Sequence, residues 1–451
     1  MLITLDRQSD IPLFEQLYNA LKSQILEGTL DSNKKLPSKR LLQADLSISQ
    51  TTVEHAYQLL LDEDLIYSRE KSGFYVSAID QLRQTASPVA ARIKRPKQNE
   101  QALPIDTIDT TLVQSDVLKN IAREVYTIPE LLNKGDDSGE TVLKEQIRQY
   151  LRINRGVTCA VDQIFIGPST EFLLEQALYL LGHPRVTIED PGYPVVRKVL
   201  DRLDNGMDSA RVLQDGIDID QVKALNNPVV HVTPSHQFPS GAVMSLQKRI
   251  RLLNHASSQN HYIIEDDYDS EFRYTGRPLP SLQGLDQNDR TIYMSTFSKS
   301  LYPSLRLACM VLPAALAEKY YDNALSCNVP RQMQHIVANF MVQGYLNRHI
   351  NRMRKIYRKK MRDVTQWLQT FEGVEIYGDH TGMHFMLRIP GIDIESFARS
   401  HHLVHGNVYS ETGVLSDTVV IGIGEKDTGE IIKILDAFLK DCQTSAVKKS
   451  P

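Results

Sequence analysis

Apolar residues near the start of the chain recur at helical spacing. Four of them stand four positions apart within residues 11–27, which is typical of one face of an α-helix. These four are Leu13, Leu17, Leu21 and Ile25. Two more helical patterns follow Ser38 and Ser49, and Ser49 can cap the helix that it precedes. The positions that we expect to face inward on these helices are Leu41, Leu42 and Leu46, then Val53, Ala56, Tyr57 and Leu60.

Two short apolar runs come after the third helix. Residues 65–69 and 74–77 are rich in β-branched and aromatic side chains, and they flank a turn at 70–73. This pattern predicts the two strands of a hairpin. Three helices followed by a hairpin predict a winged helix-turn-helix over residues 1–77.

The composition changes at residue 78. Residues 78–103 are rich in Gln, Ala and Pro and carry more basic than acidic side chains. This composition predicts a flexible basic linker. A passive spacer is a simpler interpretation of it than a direct contact with DNA.

From residue 104 to residue 445, helical patterns alternate with short runs that are almost wholly apolar. Such runs occupy residues 163–166, 185–188, 229–232 and 262–265. Apolar strands separated by helices predict an α/β fold, with a mainly parallel sheet and helices on both faces. Two later runs, 382–388 and 418–423, predict a small α+β part at the C-terminal end.

Composition narrows the class of protein. A chain of 451 residues is expected to form more than one domain. Its formal net charge is −4, and residues 1–77 carry eight Lys and Arg against eleven Asp and Glu. Attraction to DNA must therefore come from local placement of charge. Four cysteines lie far apart, no signal peptide begins the chain and no long apolar run occurs, so we expect reduced thiols, a cytoplasmic location and no membrane span.

The stretch 295–306 carries the most informative chemistry. Lys299 follows an apolar run that predicts a buried strand, and it lies between hydroxyl side chains. A lysine amine can form an imine with an aldehyde. Thr296, Ser298 and Arg306 can hold a phosphate. The pattern therefore suits an aldehyde cofactor that carries a phosphate.

Acidic residues follow the apolar run 262–265. The end of a parallel strand is where α/β folds bind ligands. A buried Asp266 can keep a pyridine nitrogen protonated, and Tyr268, two residues later, can reach a ring hydroxyl on the same side. The alternative is a cation site built from Asp266, Asp267 and Asp269, but the glycine turn typical of such loops is absent from this stretch.

Three weaker signals follow other predicted strands. Ser169 and Thr170 open a helix, where they can bind an anion or act only as caps. Tyr193 offers an aromatic face to a planar ring, although packing alone would also explain it. Gln237 lies in a Pro-rich loop and can donate a hydrogen bond.

The N-terminal pattern predicts how DNA is read. The third helix is expected to lie in the major groove, with its first residues toward the base edges. These residues are Ser49, Gln50, Thr51, Thr52 and His55. Lys39 and Arg40 can meet phosphates, and Arg69, Lys71 and Gly73 form the wing. A three-helix unit used only for protein contacts is the alternative.

The N-terminal motifs resemble the GntR-type winged helix. The resemblance rests on residues 36–42, 46–53, 56–57 and 73–76. Arg often stands in that family where this chain has Gln50, so the resemblance implies the docking mode but not the base preference.

Residues 105–440 resemble fold-type I pyridoxal-phosphate enzymes, the aminotransferase superfamily. The resemblance implies that Lys299 carries the imine, Asp266 pairs with the pyridine nitrogen and Tyr268 reaches the phenolic oxygen. It further implies that Tyr193 stacks on the ring and Gln237 assists the ring oxygen. The implied phosphate ligands are Ser169, Thr170, Thr296, Ser298 and Arg306.

The fusion of these two parts resembles the MocR/GabR family of bacterial transcription regulators. That family implies a regulator rather than an enzyme, which binds promoter DNA and pyridoxal 5'-phosphate or a small amine. It also implies a homodimer with domain-swapped, head-to-tail subunits.

Two positions depart from the family pattern. Lys134 stands where members often have a tyrosine that reaches the partner subunit's phosphate. The late strand 418–423 lacks the arginine that clamps a substrate carboxylate, which leaves Arg388 and Arg197 as candidates. This loss favours PdxR-type regulators, in which vitamin B6 is the signal. Two alternatives stay open: a working aminotransferase with an accessory DNA domain, and a DNA-binding scaffold whose pocket is empty.

Overall fold

The computed structural model describes residues 3–78, 101–276, 279–323 and 325–449, with side chains to residue 444. The chain divides into two compact units, Met1–Lys97 and Gln98–Pro451. Most of the predicted linker, residues 79–100, lies outside the described residues.

The first unit is the predicted winged helix. Its elements are α1 (Leu13–Leu26), α2 (Lys39–Leu46), α3 (Gln50–Asp62), β1 (Ile66–Arg69) and β2 (Gly73–Val76). The strands pair antiparallel, with Arg69 opposite Gly73. Ser49 caps α3 as predicted, because its hydroxyl accepts a hydrogen bond from the amide of Thr52. Ser38 caps α2 in the same way, through a hydrogen bond from the amide of Leu41.

One inward position on α2 was predicted wrongly. Leu42 is buried but Leu41 is 51% exposed. One residue is a turn of about 100° on an α-helix, so Leu41 faces away from the side that Leu42 packs into the core. The inward positions predicted for α3 are all buried.

The second unit contains a large sheet and a small one. The helices are α4 (Ser115–Val125), α5 (Thr141–Arg155), α6 (Thr170–Leu180), α7 (Pro194–Arg202), α8 (Ile219–Leu225), α9 (Leu246–Gln259), α10 (Leu282–Leu285), α11 (Ala314–Asp322), α12 (Arg331–Val342), α13 (Tyr345–Leu368), α14 (Glu395–Ser400) and α15 (Thr428–Lys449). The strands are β3 (Ile164–Gly167), β4 (Val186–Asp190), β5 (Met207–Leu213), β6 (Gly216–Ile217), β7 (Val229–Val232), β8 (Tyr262–Asp267), β9 (Thr291–Thr296), β10 (Ala308–Val311), β11 (Glu375–Tyr377), β12 (His384–Arg388), β13 (Val404–His405) and β14 (Thr418–Gly422).

The large sheet has the order β3-β10-β9-β8-β7-β4-β5-β6. Neighbours from β9 to β5 run parallel, whereas β10 is antiparallel to both β9 and β3. Strand β3 therefore runs in the same direction as β9. The carboxyl ends of β3, β4, β7, β8 and β9 consequently meet at one edge of the sheet.

Alternate residues of the strands pack into different cores. Ile164 and Ile166 pack with helices α4, α5 and α12, whereas Phe165 between them packs with α6, α7 and α11. Successive side chains of a strand point to opposite faces, so helices cover both faces of the sheet. This arrangement confirms the predicted fold class.

The small sheet has the order β11-β12-β14-β13 and is wholly antiparallel. Residues 101–108 pack against the small sheet, so residues 101–103 also belong to the second compact unit. The amide of Ala102 donates to the carbonyl of His402, and the amide of Gly422 donates to that of Leu103. Leu103 and Ile108 are buried in the same core as β12 and β14. Over the described ranges, no helix is long and apolar enough to cross a membrane.

Candidate cofactor site and nucleic-acid interface

A cavity of about 260 Å³ lies where the carboxyl ends of the parallel strands meet. Strand β8 supplies Asp266, and the segments that follow β4 and β9 supply Tyr193 and Lys299. Nine of the ten predicted cofactor residues line this cavity. They are Ser169, Thr170, Tyr193, Asp266, Tyr268, Thr296, Ser298, Lys299 and Arg306.

Lys299 is half-buried in the wall of the cavity. Its amine donates a hydrogen bond to the backbone carbonyl of Ile105. Burial lowers the pKa of Lys299, and nearby Asp269 and Asp106 only partly oppose this shift. A lower pKa increases the share of neutral amine, which is the form that attacks a carbonyl carbon.

Asp266 presents a carboxyl group with a free oxygen. The residue is 6% exposed, and its Oδ1 has no hydrogen-bond partner among the described residues. Burial, together with the negative charges of Asp267, Glu189 and Asp269, raises the pKa of Asp266 to about 7. A buried polar atom without a partner normally marks a ligand or water site. A protonated ring nitrogen fits this position, because it would supply both the missing hydrogen bond and a compensating positive charge.

The phosphate-type ligands lie together on another side of the cavity. Ser169 caps α6 through a hydrogen bond from the amide of Phe172, so the positive end of the helix dipole faces this region. The hydroxyl of Thr296 lies 3.1 Å from that of Ser298 and accepts from its amide. With the exposed guanidinium of Arg306, these groups form a suitable site for a dianion.

Two tyrosines complete the predicted set. Tyr193 lies edge-on to Phe238, with ring centroids 5.3 Å apart. The hydroxyl of Tyr268 lies 3.2 Å from Nδ1 of His236, which in turn lies 2.9 Å from the carboxylate of Asp269. The His236–Asp269 pair thus fixes the position of the Tyr268 hydroxyl beside the cavity.

Gln237 is the one predicted cofactor residue that does not line the cavity. Its side-chain amide donates to the carbonyl of Pro191, and its side-chain oxygen accepts from Ser240. These contacts join the loop that follows β4 to the loop that follows β7. They use the Gln237 side-chain amide, which is therefore not available to a ligand. The rings of Phe238 and His384 occupy the cavity wall instead.

Several cavity residues escaped the sequence analysis. Ile105 and Asp106 contribute from the segment before α4, and Thr233 follows β7. His384 begins β12 of the small sheet, and a histidine at the start of an apolar strand is a weak signal that could have drawn attention to it. The contact of Ile105 runs through its backbone carbonyl, so no sequence signal marks it.

The two candidate carboxylate clamps are engaged elsewhere. Arg388 forms ion pairs with Asp417 at 2.8 Å and with Glu375 at 3.1 Å. Arg197 forms one with Glu411 at 2.9 Å. Neither arginine lines the cavity. Lys134 is highly exposed and pairs with Asp137 at 3.0 Å.

The predicted base-reading residues lie at the start of α3. Gln50 and Thr51 are exposed, and Thr52 is half-buried. The hydroxyl of Ser49 contacts both threonine hydroxyls at 2.7 Å. The amide of Gln50 donates to Glu54, which also pairs with Lys39 at 3.4 Å. Lys39 is therefore partly neutralised by the recognition helix itself, whereas Arg40 is exposed.

The hairpin forms a basic wing. The guanidinium of Arg69 lies over the rings of Tyr67 and Tyr75, at 5.3 and 4.7 Å from their centroids. Lys71 is exposed at the tip with a φ of 58°, and Gly73 ends the turn with a φ of 112°. Stacking on tyrosines preorganises the Arg69 guanidinium for a contact with a phosphate or a base.

Substitutions on α3 and on the wing should have different effects on DNA binding. We expect Gln50→Ala to relax the preference at one base position, at a cost of about 1–3 kcal/mol on the preferred site. Lys71→Ala should weaken binding to all sequences and reduce the slope of log K against log salt by about 0.9. Titrations of DNA selected in vitro, at several salt concentrations, measure both effects. Lys22→Ala on α1 is the control, and an unchanged slope for Lys71→Ala would exclude it from the interface.

Comparisons with known proteins agree with this division. Residues 13–76 match the model for bacterial regulatory proteins of the gntR family, and residues 108–415 match that for aminotransferase class I and II. The HTH-type transcriptional regulator YdeL of Bacillus subtilis is 40% identical over 85% of this chain and 86% of its own length. The probable rhizopine catabolism regulatory protein MocR of Rhizobium meliloti is 32% identical over 80% of this chain and 78% of its own. The chain belongs to the MocR/GabR family of transcription regulators.

Another relative and a solved structure extend the comparison of this MocR/GabR-family regulator. The pyridoxine biosynthesis transcriptional regulator PdxR of Corynebacterium glutamicum is 27% identical, over 82% of each chain. The kynurenine aminotransferase of Pyrococcus horikoshii covers 76% of this chain and 92% of its own, with a TM-score of 0.68 and 23% identity. That likeness shows the fold. Together with the lysine, the acid and the anion ligands of the cavity, the aminotransferase class I and II family indicates pyridoxal 5'-phosphate as the cofactor.

Proposed function

We propose that this regulator binds promoter DNA through residues 1–77 and changes its DNA binding when pyridoxal 5'-phosphate occupies Lys299. The vitamin B6 cofactor, alone or with a small amine, is the signal in this proposal. The regulator acts in the cytoplasm as a homodimer with swapped subunits. The similarity to PdxR, a pyridoxine biosynthesis transcriptional regulator, supports the choice of signal.

The cavity residues divide the work of holding the cofactor. Pyridoxal phosphate supplies an aldehyde that condenses with an amine and a ring that withdraws electrons. Lys299 is the amine, and its lowered pKa favours condensation. Asp266 holds the proton of the ring nitrogen, and Arg306 with the neighbouring hydroxyls binds the phosphate.

One contact carries the proposal that binding is sensed. The Lys299 amine donates to the carbonyl of Ile105, and Ile105 lies on the segment that follows the predicted linker. An amine that has condensed with the cofactor has fewer protons to donate, so occupancy of the site changes this contact. A ligand shifts a conformational equilibrium only if it interacts differently with the two states, and this contact supplies such a difference.

The same segment is tightly fitted to the small sheet. A Cβ at Gly422 would lie 2.0 Å from the carbonyl oxygen of Pro104. The backbone of residues 103–105 therefore touches β14 on one side and Lys299 on the other. When the contact between Lys299 and Ile105 changes, residues 103–105 have little room to move, because they are packed against β14. We therefore expect the change to pass along the backbone toward the DNA-binding unit.

The ion pairs formed by Arg388 and Arg197 favour sensing over amino-acid turnover. An aminotransferase holds its substrate carboxylate with a guanidinium, usually bidentately. Arg388 and Arg197 are already paired with carboxylates of this chain. Among the described residues, Arg306 is the one arginine that lines the cavity, and the cofactor phosphate occupies it in this proposal.

Mapping of bound sites across the genome, with and without pyridoxal in the medium, tests the proposal. We expect occupancy to change with pyridoxal in cells that carry the wild-type protein. Gly422→Ala should remove this dependence, because the added methyl group displaces residues 103–105. Gly429→Ala is the matched control, because its Cβ meets only the side chain of Asp427, at 3.3 Å.

The absorption of the purified Gly422→Ala protein shows whether its cavity still takes up pyridoxal phosphate. Uptake with lost regulation supports the proposal. Wild-type occupancy that ignores pyridoxal would contradict it, as would a wild-type protein that takes up no cofactor.

A further inference from the structure

We infer that the second ligand of this cavity is a primary amine that carries hydrogen-bond donors and no carboxylate, such as a diamine or an amino alcohol. This inference rests on the proposed function and specifies the chemistry of its effector. It follows from the polar groups that line the cavity and are not assigned to the cofactor.

The remaining polar wall of the cavity is made of acceptors. Lys299, Asp266, Tyr268 and Arg306 are assigned to the cofactor. What remains includes the carboxylates of Asp106 and Glu171 and the imidazole of His384. Glu171 is partly neutralised by Arg202 at 3.0 Å, whereas Asp106 lines the cavity and forms no ion pair within the described part of the chain. Asp106 also acts on Lys299, whose pKa it raises against the effect of burial.

His384 is an acceptor because of its tautomer. One ring nitrogen bonds to the backbone of Pro239, which can only accept, so that nitrogen is a donor. It must be Nδ1, since Nε2 has no hydrogen-bond partner among the described residues. Burial, helped by His236 and Lys299, holds the pKa of His384 well below its usual value, so the ring is neutral. A bare lone pair is thus left in a buried side chain that lines the cavity.

A second imidazole, that of His236, packs beside the ring of His384. His236 lies with its ring centroid 4.7 Å from that of His384, and its Nδ1 lies 2.9 Å from both carboxylate oxygens of Asp269. Its Nε2 also lacks a partner in the described ranges. Gly382 makes this packing possible, because a Cβ there would lie 2.0 Å from the His236 ring. The His236 ring thus lies beside His384, and of the two it is His384 that lines the cavity, so the unpartnered Nε2 of His384 is the atom that a donor on a ligand would satisfy.

A carboxylate in the same place would be unpaired. Apart from Lys299 and Arg306, no cationic side chain of the described residues lines the cavity. Arg197 is paired with Glu411, and Arg155 with Asp267. An amino acid would bring its carboxylate toward Asp106 and Glu171, and no unassigned guanidinium among the described residues of this chain lines the cavity to receive it. Buried charges without partners and like charges in contact both lower affinity, so the wall selects against amino acids.

Exchange of the amine at the cofactor's carbonyl carbon needs no other reactant. With the cofactor bound, a bond would form from that carbon to the nitrogen of the incoming amine, and the bond to Nζ of Lys299 would break. Lys299 would leave as a free amine and take up the proton that the incoming nitrogen gives up. The released Lys299 can again donate to Ile105, so this exchange would act on the same contact as loading of the cofactor.

Pairs of amines that differ only by a carboxylate test the inference. The probes are putrescine against ornithine, cadaverine against lysine, and ethanolamine against serine. Each is titrated into wild-type protein that its absorption shows to be loaded with pyridoxal phosphate. We expect the member without the carboxylate to bind at least roughly tenfold more tightly in each pair. His384→Leu should lose most of this affinity, and His402→Leu, an exposed histidine, should not.

The possible outcomes separate the two proposals. Amino acids that bind as tightly as their decarboxylated partners, or amines that do not bind loaded protein, would overturn the inference while the proposed function stands. A protein that never loads would instead contradict the proposed function. Amine binding that disappears when EDTA is added would assign the two imidazoles to a metal ion and would also overturn the inference.

Discussion

Lys299→Gln protein is expected to lose the visible absorption band that pyridoxal phosphate produces when an imine joins it to a protein. The glutamine amide cannot condense with an aldehyde, although it can still donate a hydrogen bond to Ile105. Any cofactor that remains is held only by its phosphate and ring contacts. We therefore expect the band to disappear completely and the response of DNA binding to pyridoxal phosphate to disappear with it.

Absorption spectra before and after borohydride reduction measure this effect. Reduction of the wild-type protein should leave a phosphopyridoxyl group on the peptide that contains Lys299. Lys198→Gln, an exposed lysine on α7 close to Tyr193 in the chain, is the control and should keep the band. A band that survives in Lys299→Gln protein would show that another amine carries the cofactor.

Arg155→Met is expected to destabilise the cofactor-binding unit by about 3–5 kcal/mol, because it leaves a buried carboxylate without its counter-charge. Arg155 and Asp267 are 8% and 1% exposed, and Nε lies 2.5 Å from the carboxylate. Burial alone would lower the pKa of Arg155, but Asp267, Tyr293 and Glu265 together outweigh burial and raise that pKa. Asp267 directly follows Asp266 on β8. The Arg155–Asp267 ion pair therefore also holds the negative charge of Asp267 in place next to the cavity.

Chemical unfolding of the purified variants measures the loss of stability. Arg399→Met on α14 removes an exposed pair with Glu395 and should change the unfolding free energy by roughly 0.5 kcal/mol or less. Asp267→Asn added to Arg155→Met should recover part of the loss, because the unpaired charge is then removed as well. Stability of Arg155→Met within 1 kcal/mol of wild type would contradict this account of the pair.

The sequence was sufficient to predict the parts of the fold that depend on local pattern. The serine cap of α3, the helical spacing of apolar residues and an apolar hairpin are local signals, and they located α1, α2, α3 and the wing. In the second unit, apolar runs between helices predicted the parallel strands. Since ligand sites follow the carboxyl ends of such strands, the same runs predicted nine of the cofactor residues that the structure brings together.

What the sequence could not predict depends on contacts between distant segments. The carbonyl of Ile105 reaches Lys299 across 194 positions and involves no side chain that a motif could reveal. Gln237 follows a strand as a site residue should, yet two loops use up its amide. The tautomer of His384 depends on a carbonyl of Pro239, from another sheet's loop. These features depend on tertiary packing, which local sequence patterns do not predict.

The central claim is that occupancy of Lys299 changes affinity for DNA. Fluorescence anisotropy on an operator selected in vitro tests it most directly, with wild-type and Lys299→Gln protein titrated in the presence and absence of pyridoxal phosphate. The account predicts that the cofactor changes the wild-type Kd by roughly 5- to 150-fold, the usual range of coupling between two sites, and leaves the variant's Kd unchanged. A wild-type Kd that is the same with and without the cofactor, or a variant that responds as strongly as the wild type, would contradict it.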